Sequence, residues 1–159
     1  MDVYPAIASK RDERRYSDRE VPEDAVRRIL DAGRLAGSAR NRQAWEFVVV
    51  SDATELANAV YVPDNLLTAA LVVAILGSGG LDIGRAAQNM MLAAWGEGIV
   101  SCPNGIADAA AAAGILGGEP AVILSFGYPA RPRDPGARTA EEWSARANRK
   151  PLDEIVRYL

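Results

Sequence analysis

Histidine is absent from all 159 residues and cysteine occurs once, at Cys102. A chain without imidazole cannot run a Ser-His-Asp or Cys-His relay, nor offer that ring to a metal. One thiol makes neither a thiolate zinc site nor an internal disulfide, so Cys102 reads as a small core residue. Proton transfer is left to carboxylates, lysine, tyrosine or a bound cofactor, and a cofactor supplies the chemistry most simply. Long apolar runs are also missing. The longest, residues 66–77, is too short and interrupted to span a bilayer. Residues 1–10 lack a basic stretch followed by an apolar core, so no signal peptide is expected and a cytoplasmic location is. A net charge of -3 argues against nucleic acid as the main partner, although positive charge gathers at residues 10–15 and 131–150. With 49% hydrophobic and 25% charged residues, the composition excludes a disordered chain and predicts one soluble globular domain over residues 1–159.

One stretch organises what is present, residues 81–103, LDIGRAAQNMMLAAWGEGIVSCP. Its first two turns carry a polar stripe of Asp82, Arg85, Gln88 and Asn89. Residues 90–95 are all apolar, which predicts a half-helix buried all round. Gly84, Ala86, Ala87, Ala93, Ala94 and Gly96 let another backbone approach closely. The cover is either a second copy of the chain, with this helix at the seam of a homodimer, or the rest of a monomeric α/β domain.

In chain order, residues 4–10 predict a short helix leading into KRDERRY, where Lys10, Arg11, Arg14 and Arg15 bracket Asp12 and Glu13. On a helical turn Arg11 and Arg14 share a face and can grip one phosphate with their guanidinium forks. The alternative is a solvated patch laced with its own acids. Pro22, Glu23 and Asp24 start a helix with Val26, Ile29, Leu30 and Gly33 on one side, ending near Gly37. A polar turn of Ser38, Arg40, Asn41 and Gln43 then enters residues 45–50, a β-rich run read as a buried strand. Residues 53–60 predict a short helix, 61–65 a proline-containing loop and 69–76 a second apolar strand. The GSGG that follows would need glycine in place of Asp82 to make a dinucleotide fingerprint. It predicts instead a tight turn, with Asp82 near a helix N-terminus. Residues 99–102 are extended, and Pro103-Asn104-Gly105 is a turn able to present amide donors. Asp108 caps an alanine-rich helix ended by Gly117 and Gly118, and residues 120–128 make another core strand. From residue 129 onward, prolines among arginines predict an extended C-terminal arm with a short helix at 141–147.

Taken together, KRDERRYSD with VPEDAVRRILDAGRLAGSARNRQAWEFVVVSD, then DIGRAAQNMMLAAWGEGIVSC, PAVILSFGYP and RKPLDEIV resemble the FMN-dependent nitroreductase family over most of the chain. The resemblance implies an α+β fold: a three-layer α/β/α sandwich with a mostly antiparallel central sheet, in an intertwined homodimer with two FMN molecules at the subunit interface. It implies phosphate contacts from Lys10, Arg11 and Arg14 and from Arg149, with Arg146 and Lys150 beside it. Ring contacts are implied across the interface from Ser38, Ala39 and Asn41, with Gln43 and Trp45 completing the motif. A backbone N–H to flavin N5 is implied from Asn104 or Gly105. Asp12 stands where many members have serine, which implies a pairing with Arg14 or with a ribityl hydroxyl. The short stretch between Val50 and Ala69 implies an open pocket, with Asn65 the candidate by position for the flavin N1 and O2 end. The implied activity is hydride transfer from NAD(P)H through flavin N5 to a nitroaromatic, quinone or similar small-molecule acceptor. No catalytic side chain and no metal are needed. A flavin-binding carrier or sensor without turnover is the alternative. The Arg11-Asp12-x-Arg14 spelling also resembles the branch that consumes reduced flavin to make dimethylbenzimidazole.

Overall fold

The computed structural model describes residues 2–159. They divide into two compact units, Arg11–Arg133 and a smaller one joining the residues up to Lys10 to Asp134–Leu159. The larger unit is built on four strands, β1 (Trp45–Val50), β2 (Leu71–Gly77), β3 (Val100–Asn104) and β4 (Pro120–Gly127). Every pairing is antiparallel and the spatial order is β1-β2-β4-β3. Residues 71–76 of β2 are apolar throughout because both faces of the strand are covered. Leu71, Val73 and Ile75 enter one core, and Val72, Ala74 and Leu76 enter another on the opposite face.

Two long helices, α2 (Glu23–Arg34) and α5 (Gly80–Gly96), build the first core with Leu124 and Phe126 of β4. Three short ones, α3 (Thr54–Ala57), α4 (Asp64–Leu67) and α6 (Ala109–Leu116), contribute Leu56, Leu66 and Ala112 to the second. The result is helix, sheet and helix in three layers. Each fully buried Ile, Leu or Phe contributes about 2 kcal/mol to it. Ala25, Ile29 and Gly33 recur at four-residue spacing on the buried face of α2. A Cβ at Gly33 would strike the Met90 side chain, so glycine permits the close approach of α2 to α5. At the surface, Arg28 joins the same helices by a two-point contact with Glu97 (2.7 and 3.0 Å). Arg28 also pairs with Asp24, holding that carboxyl below its usual range.

Several expectations are corrected by packing. β1 is an edge strand with Val49 exposed, since only β2 pairs with it. Within the chain, α5 is not buried all round: Leu92 and Ala93 stay half-exposed, while Met90, Met91, Ala94 and Trp95 are buried. Residues 61–65 are not wholly loop, because Asp64 already begins α4. The α6 reading holds, with the Asp108 carboxylate accepting from the Ala111 N–H at 2.9 Å and Gly117 closing the helix at φ 74.

In the smaller unit α1 (Val3–Ser9) packs with α7 (Ala140–Arg146), and α8 (Leu152–Ile155) follows. Thr139 and Glu142 form a reciprocal cap at the start of α7, with bonds of 3.3 and 2.8 Å. Trp143 donates through Nε1 to the Pro135 carbonyl at 3.1 Å, and the Arg138 guanidinium lies 4.9 Å from its ring centre. Residues 129–159, read from sequence as an extended arm with one short helix at 141–147, thus carry that helix as α7 and a second one, α8. No helix among the described residues is long and apolar enough to cross a membrane.

Gly77 ends β2 at φ 125, where an added Cβ would collide with the Ala44 carbonyl. Gly77→Ala is expected to destabilise the protein by roughly 2–4 kcal/mol, measured as a shift in urea unfolding.

Candidate functional site

The cationic segment is not helical. Helix α1 stops at Ser9, and the chain then runs extended into the larger unit. Asp12 bridges to Ser101 in parallel, and the Glu13 N–H donates to the Ser101 carbonyl at 3.1 Å. Tyr16 bridges to Pro129, Ser17 N–H donates to the Tyr128 carbonyl at 2.8 Å, and Ala130 N–H donates to the Arg15 carbonyl at 3.0 Å. The shared helical face expected for Arg11 and Arg14 is therefore replaced by a non-helical segment held by isolated bridges. Glu13 is taken up by an ion pair with Arg133. Arg14 is exposed and enters no ion pair among the described residues.

The polar turn ahead of β1 is held by two side chains. Asp82, in the first turn of α5, accepts from the Ala39 N–H at 3.0 Å, and Ser38 Oγ accepts from the Gln43 N–H at 2.9 Å. Between these anchors Arg40, Asn41 and Gln43 take φ values of 55, 54 and 48. Asn tolerates that region; for Arg and Gln it stores strain of ~1–3 kcal/mol each, sustained by the anchors. Ser38 is thus committed to the loop itself, while Asn41 is exposed.

Pro103 and Asn104 do not form the expected turn. Both belong to β3, opposite Leu124 and Ile123, because β3 is the other edge of the sheet and an edge tolerates proline. Asn104 turns its amide inward. Its Nδ2 donates to the Cys102 carbonyl (3.1 Å), the Ile123 carbonyl (3.3 Å) and Ser125 Oγ (3.0 Å), and its Oδ1 accepts from Asn65 Nδ2 at 3.0 Å. Asn65 is consequently buried and engaged at Asn104. Ser125 Oγ in turn lies 2.8 Å from the Tyr16 hydroxyl. Tyr16 packs its ring where a Cβ on Gly127 would sit, and burial pushes its hydroxyl well above the usual tyrosine range.

Sequence reasoning missed Tyr16 and Ser125. One signal existed, because Ser125 is a lone polar residue in the apolar run PAVILSF and a buried hydroxyl requires a partner. Cys102 is buried in the core as expected. The structure joins the segment carrying Arg11, Asp12 and Arg14 to β3 at Ser101, and holds Ser38, Ala39, Asn41 and Gln43 in one turn fixed to α5. Lys10 and Arg149 belong to the smaller unit, where Arg149 follows α7 and its N–H donates to the Ser144 carbonyl at 3.2 Å. Of the residues named for the site, Trp45 lines a groove of about 930 Å³ along α2 and β1, together with Leu30, Leu35, Phe47, Arg27 and Arg34. Among the described residues no cluster of acids and cysteine could hold a metal.

Comparison with known proteins decides the lineage: the model of the nitroreductase family matches residues 7–74 and 80–128, well over half of the chain. The chain belongs to the nitroreductase family. A Methanothermobacter thermautotrophicus protein, provisionally named an NADH dehydrogenase/NAD(P)H nitroreductase, is 34% identical over 118 residues, covering 67% of this chain and 62% of that one. The Thermus thermophilus NADH dehydrogenase is 44% identical over 52 residues, 33% of this chain and 25% of its own. The matched part of this nitroreductase-family chain thus spans less than two thirds of those relatives. Among solved structures, a provisionally named nitroreductase from Desulfovibrio desulfuricans in complex with FMN superposes at a TM-score of 0.82 with 25% identity, covering 100% of this chain and 98% of that one. A nitroreductase family protein from Clostridium difficile 630 gives 0.84 with 23% identity, covering 99% and 98%. The fold is the nitroreductase fold.

Because the folded state favours neutral Tyr16, its contribution to stability is complete below about pH 10 and is lost as pH rises beyond that value. Urea midpoints measured from neutral to strongly alkaline pH are expected to fall for the wild type and to fall less steeply for Tyr16→Phe.

Proposed function

We propose that this nitroreductase-family protein is an FMN-dependent oxidoreductase that moves hydride from NAD(P)H to a nitroaromatic, quinone or similar small-molecule acceptor. The supporting observation is the layout of β3. Its start receives the cationic segment at Ser101, and its end, three residues on, presents the Asn104–Gly105 backbone. Three strand residues span ~10 Å, the scale of a ribityl chain between a phosphate and a flavin ring.

The donor set fits FMN. Arg11 and Arg14 supply positive charge for a phosphate dianion. Backbone amides at Asn104 or Gly105 suit a ring acceptor, and the strained turn at residues 38–43 offers an exposed polar face to a ring bound between subunits. When bound, FMN supplies the hydride relay itself. The chain's part is to neutralise the phosphate, fix the ring's hydrogen bonds and orient the reactants.

A homodimer is part of the same proposal. The apolar groove along α2 and β1, and the exposed Leu35 and Leu81, are surfaces a second copy would cover. Light scattering is expected to report a dimer.

A visible absorption spectrum of the purified protein, followed by anaerobic titration with NADH and NADPH, tests the activity. FMN that bleaches on titration is the expected result. FMN that binds and stays oxidised would instead support a carrier or sensor. Arg14→Ala is expected to weaken FMN binding by ~1.5–3 kcal/mol, the worth of a charged hydrogen bond, as measured by fluorescence titration.

A further inference from the structure

The middle segment between β1 and β2 does not stand away from the sheet as a cover. It is stitched to the corner that follows β3. Val60 bridges to Ile106, and Tyr61 N–H donates to the Gly105 carbonyl at 3.0 Å. The N–H groups of Ala107 and Asp108 both donate to the Ala59 carbonyl, at 2.8 and 3.1 Å. A Cβ at Gly105 would sit 2.9 Å from Tyr61 Cδ2, so that ring lies directly against the corner while remaining largely exposed. Asn65 completes the attachment with its 3.0 Å bond to Asn104 Oδ1.

We infer that residues 59–65 form a clasp that fixes the Asn104–Gly105 backbone for its contact with the flavin ring, with Asn65 as the positioning residue. The inference rests on the flavin reading proposed above. Asn104 offers no side chain to a ligand, because its amide is spent on Asn65, Cys102, Ile123 and Ser125. What the corner can present is the exposed Gly105 backbone, whose direction is set by the β3 pairing behind it together with the grip on the Asn104 side chain. From one side the grip is Asn65. From the other it is Ser125, itself held by Tyr16 only two residues beyond Arg14. A buried amide satisfied on both its oxygen and its nitrogen has one orientation, and removal of either partner releases it. The short middle segment thereby gains a positioning role that its length alone does not suggest.

The test compares FMN with riboflavin, which lacks the phosphate, on the purified protein. Arg14→Ala is expected to weaken FMN alone. Asn65→Ala, and the isosteric Asn65→Asp that sets oxygen against Asn104 Oδ1, are expected to weaken both flavins about tenfold and to change the visible band shape of bound flavin. The Asp variant keeps the side-chain volume should the Ala variant fail to fold. Lower melting temperatures with unchanged flavin affinity and unchanged band shape in the Asn65 variants would overturn the clasp and leave it a purely structural contact. A wild type that takes up neither flavin would overturn the flavin reading itself, and the clasp with it.

Discussion

Strand β4 is the constraint on which the rest of the structure depends. It is the one strand whose outer neighbour, β3, carries the candidate site, and it is paired on both sides, with β2 and with β3. Its register sets Ser125 opposite Cys102 and Ile123 opposite Asn104, which brings the Ser125 hydroxyl and Ile123 carbonyl to the Asn104 amide. Beyond Gly127 the same chain continues into Tyr128 and Ala130, which take up Ser17 and Arg15. Slipping β4 by one residue would turn Ser125 toward the opposite face and replace it with an apolar side chain. Both ends of the proposed cofactor site would lose their reference at once.

The two cores make such a slip costly. Leu124 and Phe126 must face α2 and α5, while Ile123 faces the short helices, and each fully buried side chain of this size is worth about 2 kcal/mol. Packing energy far from any ligand therefore fixes the geometry of polar groups near one. The nitroreductase fold seen in solved relatives at TM-scores of 0.82 and 0.84 is the outcome of that two-faced packing.

How much of this was legible in the sequence depended on whether the deciding interaction was local. Pro22 with its two acids, Asp108, and Gly117 announced α2 and α6 because caps act within one turn of chain. The apolar runs announced β2 and β4, and the ordered motifs gave the family. Arg11 and Arg14 misled because spacing of three suits a helix, whereas the pairing with Ser101 that draws the segment out is nearly ninety residues away in sequence. Pro103-Asn104-Gly105 has good turn chemistry, and pairing with β4 overrode it. Asn65 looked available for a ligand because its partner, Asn104, is distant in sequence. The edge position of β1 was equally hidden, since an edge strand and a central strand can share one composition.

The proposed flavin lies along β3, phosphate at its start and ring at its end. Backbone amide chemical shifts recorded by NMR with and without FMN test it most directly. The account predicts perturbations concentrated at residues 11–14, 38–43 and 104–105. Perturbations confined to the apolar groove at Leu30, Leu35 and Phe47, or none at saturating FMN, would contradict it.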